Sequence, residues 1–103
     1  MKASKSYNSR YQRDIIQSYL NNNAIVIDVR SQQEWDLAHI DSFKHIEFRN
    51  IKSKLNYLKE LNKPIIAVCI SGMRSGQVTN YLKREGLDVI NGGSWQNVAE
   101  LIL

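Results

Sequence analysis

The residues whose types and spacing could do chemistry lie in one short stretch, Cys69-Ile70-Ser71-Gly72-Met73-Arg74-Ser75. A cysteine closes an apolar run, a tight loop follows, and a helix is expected from Ser75. Backbone N–H groups in such a turn converge on a point above the sulfur, and the helix N-terminus adds its partial positive charge. Gly72 lets the backbone bend without a Cβ clash. Arg74 places a fixed positive charge on the loop. The pattern favours a thiolate over a thiol and offers a cradle for an anionic group attached to it. Ser71 and Ser75 either hydrogen-bond that group or cap the next helix. The alternative is a plain core cysteine at the end of Ile65-Ile66-Ala67-Val68. The residues that follow Cys69 tip the reading towards a reactive one.

The elements that must position this loop follow from the apolar pattern. Tyr11, Ile15, Ile16, Tyr19 and Leu20 share one helical face, and Asn21-Asn22-Asn23 ends that helix. Ala24 to Val29 is a continuous run that reads as a strand buried on both faces. Ser31 and Glu34 form a capping box for a short helix through Trp35 and Leu37. His45 to Phe48 reads as a short strand. Ile51, Leu55, Leu58 and Leu61 repeat with helical spacing up to Asn62-Lys63-Pro64. Ile65 to Cys69 is a strand, Ser75 to Glu85 a helix capped by Gly86, Asp88 to Ile90 a strand, Gly92-Gly93 a turn, and Trp95 to Leu103 a last helix. This alternation predicts an α/β fold with a small, mostly parallel sheet of four to five strands and helices on both faces. In open sheets of this kind, chemistry sits beyond the carboxyl ends of the strands, which is where Cys69 falls.

The 103 residues make one domain. Residues 1–9 read as a flexible basic N-terminal segment and residues 10–103 as the domain. Cys69 is the single cysteine, which excludes an intrachain disulfide framework and a cysteine-cluster metal site. The longest apolar run, Ile65 to Ile70, is far too short to span a membrane. Lys2 and Lys5 precede no apolar stretch that would make a signal peptide, so a cytoplasmic location is expected. The net charge of +4 comes from Lys2, Lys5, Arg10 and Arg13, which precede the first acid, Asp14. That excess lies in the N-terminal segment, and the basic residues of 44–63 look like a solvated helix face with no interleaved aromatic platform and no nucleic-acid motif, so nucleic acid is not an expected partner.

Four motifs in order resemble the rhodanese family of sulfurtransferase domains. Ile27-Asp28-Val29-Arg30 with Glu34-Trp35 is similar to the family's I-D-V-R … E-[YFW] opening. His39-Ile40 stands at its G-H-I-P-G-A turn, where this chain reads Ala38-His39-Ile40-Asp41-Ser42-Phe43. Cys69 to Ser75 fits the C-x-x-G-x-R-S loop, and Gly86 to Val89 with Gly92-Gly93-Ser94-Trp95 fits the tail. The resemblance implies a sulfurtransferase. Cys69 accepts a sulfane sulfur from a donor such as thiosulfate, holds it as a persulfide in the amides of Ile70 to Arg74, and passes it to cyanide or a thiol. Arg74 closes the loop and helps draw an anionic donor. The implied partners are a small sulfur donor and an acceptor thiol, a protein thiol such as thioredoxin included. No cofactor beyond the persulfide and no metal are expected. A non-enzymatic partner-binding module of the same fold is the alternative. A phosphatase or arsenate reductase is disfavoured, because phosphatases on a related scaffold carry one residue more between cysteine and arginine.

Asp28, Arg30, Glu34 and His39 are expected to support the loops rather than react, since buried charges are usually paired. His39 and His45 lack ligand spacing. Trp35 and Trp95 read as core or pocket-wall aromatics.

Overall fold

The computed structural model describes residues 2–103, with side chains from Arg10 onward. The expected flexible segment, residues 1–9, therefore falls on side chains outside those described. Helix α1 (Lys2–Asn21) leads to β1 (Ile25–Asp28), α2 (Gln32–Leu37), β2 (Lys44–His45), α3 (Leu55–Leu61), β3 (Ile65–Cys69), α4 (Met73–Arg84), β4 (Val89–Ser94) and α5 (Trp95–Ile102). Two 3-10 turns, Phe48–Asn50 and Lys52–Lys54, lie between β2 and α3.

All strand pairs are parallel, in the order β2-β1-β3-β4. The chain leaves β1 for β2 on one side and returns to β3 on the other. Such a reversal opens a crevice between the carboxyl ends of β1 and β3. Asp28 and Cys69 end those two strands.

Two cores form because successive side chains of a strand point to opposite faces. Ile65, Ala67 and Cys69 join Leu58 of α3 and Val78 and Leu82 of α4 on one face. Ile66 and Val68 join Ile16 of α1 and Val98 and Ala99 of α5 on the other. Every residue of β3 is buried, as its unbroken apolar run requires.

Local chemistry sets the boundaries. Ser31 and Glu34 make the reciprocal capping box of α2. Asn23 and Asn62 take positive φ values of 64° and 50° where α1 and α3 end.

Several boundaries differ from the sequence reading; α3, expected from Ile51, begins only at Leu55 after the two 3-10 turns. The expected strand from His45 to Phe48 is only Lys44–His45, because the chain past Glu47 curls into a 3-10 turn closed by Asn50 N–H to Glu47 C=O. Helix α4 begins two residues earlier than expected, which puts Arg74 in its first turn. Gly92-Gly93 is not a turn but part of β4. Ala67 pairs with Asn91 and Val68 with Gly93, so Gly92 is the extra residue of a β-bulge.

Candidate active site

Strand β3 delivers Cys69 to the crevice floor, where the residue is 1% exposed. Gly72, with φ 96°, turns the chain back over it and stands at the N-cap of α4 without a capping side chain. A Cβ there would lie 3.3 Å from Gly93 Cα. The sulfur takes the capping role that an N-cap oxygen usually fills. Ser75 N–H, the third of the helix, points at Cys69 Sγ over 3.4 Å, and Gly72 N–H does so over 3.1 Å. Ser75 Oγ lies 3.3 Å from the same sulfur.

These contacts set the acidity of the thiol. Burial pushes the Cys69 pKa up. The Ser75 hydroxyl and the backbone N–H groups of Ser75, Gly72 and Ser71 pull it down, and together they outweigh burial, so it falls below its ordinary value. A core cysteine packed only against apolar groups would move the other way.

The loop residues divide by role. Ser75 is fully buried against the sulfur. Ser71 Oγ accepts from Met73 N–H at 3.4 Å. Ile70 and Met73 turn outwards, 51% and 73% exposed. The Arg74 guanidinium is held by both Glu34 carboxylate oxygens, at 2.8 and 3.1 Å, and makes no hydrogen bond to the sulfur. That contact, with the Ser31 bonds, holds the Glu34 pKa down at about 2. The pair ties the loop to α2, since Glu34 Oε1 also accepts Ser31 N–H at 2.8 Å.

Asp28 and Arg30 brace the neighbouring strand end. Arg30 is 3% exposed and Asp28 0%, and their side chains pair at 2.8 Å. The guanidinium also donates to the carbonyls of Glu34 at 3.2 Å and Ala38 at 2.8 Å, and lies over the Trp95 ring. This holds the turn that lacks the family's glycines and proline. His39 and His45 both stack on Trp35, with centroids 4.0 and 4.6 Å away. His39 Nδ1 meets the Trp35 carbonyl at 2.7 Å. Neither histidine bonds Cys69. A groove of about 600 Å³ that includes Phe48, Arg49, Tyr81 and Arg84 runs beside α4 and does not include the cysteine.

Asn91 was not singled out from the sequence. Its Oδ1 accepts the Ser75 hydroxyl at 2.7 Å and Gly93 N–H at 2.9 Å, and its Nδ2 donates to the Gly72 carbonyl at 3.0 Å. It clamps both ends of the cradle from β4. Only the bulge at Gly92 marks this part of the chain as unusual.

The family model of the rhodanese-like domain matches residues 12–100. The chain belongs to the rhodanese-like domain family. A tRNA uridine(34) hydroxylase of Onion yellows phytoplasma is 25% identical over 81 residues, covering 74% of this chain and 26% of that protein. This chain therefore spans about a quarter of that relative's length. A thiosulfate sulfurtransferase of Ectopseudomonas mendocina is 27% identical over 74 residues, covering 72% of this chain and 67% of that one. The crystal structure of a rhodanese-like domain protein from Staphylococcus aureus aligns with a TM-score of 0.61 at 32% identity, over 68% of this chain and 70% of that one. The four-stranded parallel sheet with helices on both faces is the arrangement expected of a rhodanese-like domain. Among the described residues, no helix is long and apolar enough to cross a membrane.

Proposed function

We propose that this rhodanese-like domain is a sulfurtransferase working through a persulfide on Cys69. The observation that carries the reading is the convergence of Gly72 N–H, Ser75 N–H and Ser75 Oγ on one sulfur at 3.1, 3.4 and 3.3 Å. The two backbone N–H donors favour an anionic sulfur without a separate base, and the Ser75 hydroxyl, bonded to Asn91, lies within reach of the same sulfur.

The reaction has two steps. The Cys69 thiolate attacks the sulfane sulfur of a donor, the donor's bond to that sulfur breaks, and the leaving group departs with the electron pair. The outer sulfur on Cys69 is then attacked by cyanide or by an acceptor thiolate, small or protein-borne, and the Cys69 thiolate leaves. Cys69 is the only cysteine in these 103 residues, so no second thiol among them takes the sulfur from it.

A phosphatase would direct its loop arginine at a bound phosphoryl group. Arg74 is instead engaged by Glu34 through two bonds, which weighs against that chemistry. The test is transfer to cyanide, read as thiocyanate. Cys69→Ser should remove turnover and leave the far-ultraviolet circular dichroism unchanged. Undiminished turnover in this variant would end the proposal.

A further inference from the structure

The groove beside α4 has two walls of the same sign. Arg49 and Lys52 line it from the two 3-10 turns, and Arg84 lines it from the last turn of α4. Among the described residues, no carboxylate lines it. Glu47 lies 3.6 Å from Arg49 and offsets one of the three charges. Lys52 and Arg84 pair with no acid among the described residues. Cations of one sign around a concavity concentrate anions in it.

The floor of the groove is apolar. Ile51 and Val78 are buried beneath it, and Phe48, 39% exposed, also lines it. A ligand that fills about 600 Å³ here therefore needs both negative charge and an apolar part.

Two features select among anions. Gln77 and Asn80 line the groove from α4, three residues apart and so on one helix face. Their side-chain amides have no hydrogen-bond partner among the described residues. Each amide offers a donor and an acceptor, the two groups that an extended peptide backbone presents in turn. Single-stranded nucleic acid needs aromatic faces for its bases instead. The Tyr81 ring already carries the Lys52 ammonium, 5.7 Å from its centroid, so stacking would fall mainly on Phe48. Gln77 also follows Met73 by four residues, about 6 Å of rise along the same helix. An occupant of the groove is thereby held one helical turn from the cysteine loop.

We propose that this groove docks an extended acidic segment of a partner protein. Its carboxylates meet Arg49, Lys52 and Arg84, an apolar side chain rests on the Ile51–Val78 floor, and its backbone bonds Gln77 and Asn80. Such docking is independent of a persulfide on Cys69, because the sulfur cradle contributes no residue to the groove.

Fluorescence anisotropy with two labelled decapeptides tests this on the full chain. One carries glutamates around a central pair of leucines, and the other carries lysines in place of the glutamates. The acidic peptide should bind about tenfold more tightly at low salt, the scale of a few exposed ion pairs, and should weaken as salt screens the charges. Lys52→Glu combined with Arg84→Glu, at two exposed positions, should keep the parent far-ultraviolet circular dichroism and reverse the preference towards the lysine peptide. Gln77→Ala should weaken the acidic peptide about fivefold by removing one backbone hydrogen bond. Equal binding of the two peptides by the parent, or an unchanged preference in the charge-reversed variant, would overturn the proposal. Tighter binding of a ten-nucleotide uridylate than of the acidic peptide would overturn it in favour of RNA.

Discussion

The Ser75 hydroxyl donates to Asn91 Oδ1 across 2.7 Å, while the same oxygen lies 3.3 Å from Cys69 Sγ. One hydroxyl proton thus faces two acceptors. The Asn91 amide cannot turn over to relieve the competition, because Gly93 N–H holds its oxygen and the Gly72 carbonyl holds its nitrogen. With a neutral thiol, S–H donates to Ser75 and Ser75 to Asn91. With a thiolate, the hydroxyl turns to the sulfur and leaves Asn91 to Gly93.

Removing that hydroxyl should cost the thiolate a charge-assisted hydrogen bond. Ser75→Ala is expected to raise the Cys69 pKa and slow alkylation by iodoacetamide at neutral pH about tenfold, in line with the strength of a bond to a charged group. The rate in the parent should stay high to lower pH than for an ordinary thiol, since the folded pKa is depressed. Identical pH–rate curves for parent and variant would remove Ser75 from the acidity argument.

Asn91 should act partly through Ser75 and partly through its bond to Gly72. In a double-mutant cycle, Asn91→Ala and Ser75→Ala are expected to shift the alkylation profile non-additively, because they share one proton. Strictly additive shifts would assign Asn91 to bracing alone.

The Asp28–Arg30 pair should matter to stability rather than to chemistry. Arg30→Ala leaves a fully buried carboxylate without its partner and frees the Glu34 and Ala38 carbonyls. A loss of about 3–5 kcal/mol in urea unfolding is expected, the usual cost of breaking a buried pair from one side. A change below about 1 kcal/mol would show that water reaches Asp28.

Gly92 is fixed by space. A Cβ there would lie 2.7 Å from Ile66 Cγ2, 2.9 Å from Val68 Cγ1 and 3.0 Å from Val98 Cγ2. Gly92→Ala should therefore destabilise by about 1–3 kcal/mol, as overpacking of a tight core does. Parent-like unfolding would mean that α5 can shift away from the sheet at little cost.

The cysteine loop was legible because its signal is local: a buried β-branched strand, a glycine bend and a helix start within a few residues. The supporting pairs were less so. The sequence reading placed Asp28, Arg30 and Glu34 together as braces, yet Glu34 turns its carboxylate to Arg74, on a loop brought near only by the β1–β3 pairing. Asn91 was missed for the same reason, since the β3–β4 ladder carries it to Ser75. Gly92-Gly93 read as a turn because a turn and a β-bulge both call for glycine, and only the register with Val68 tells them apart. The two-residue β2 lacks the apolar alternation that reveals longer strands.

The central claim is that Cys69 carries the transferred sulfur. Intact mass spectrometry of the parent protein after brief treatment with benzenethiosulfonate tests it most directly. The persulfide account predicts a gain of one sulfur atom, located on the peptide containing Cys69, reversed by cyanide and absent from Cys69→Ser. An unchanged mass, or a gain that persists in Cys69→Ser, would contradict it.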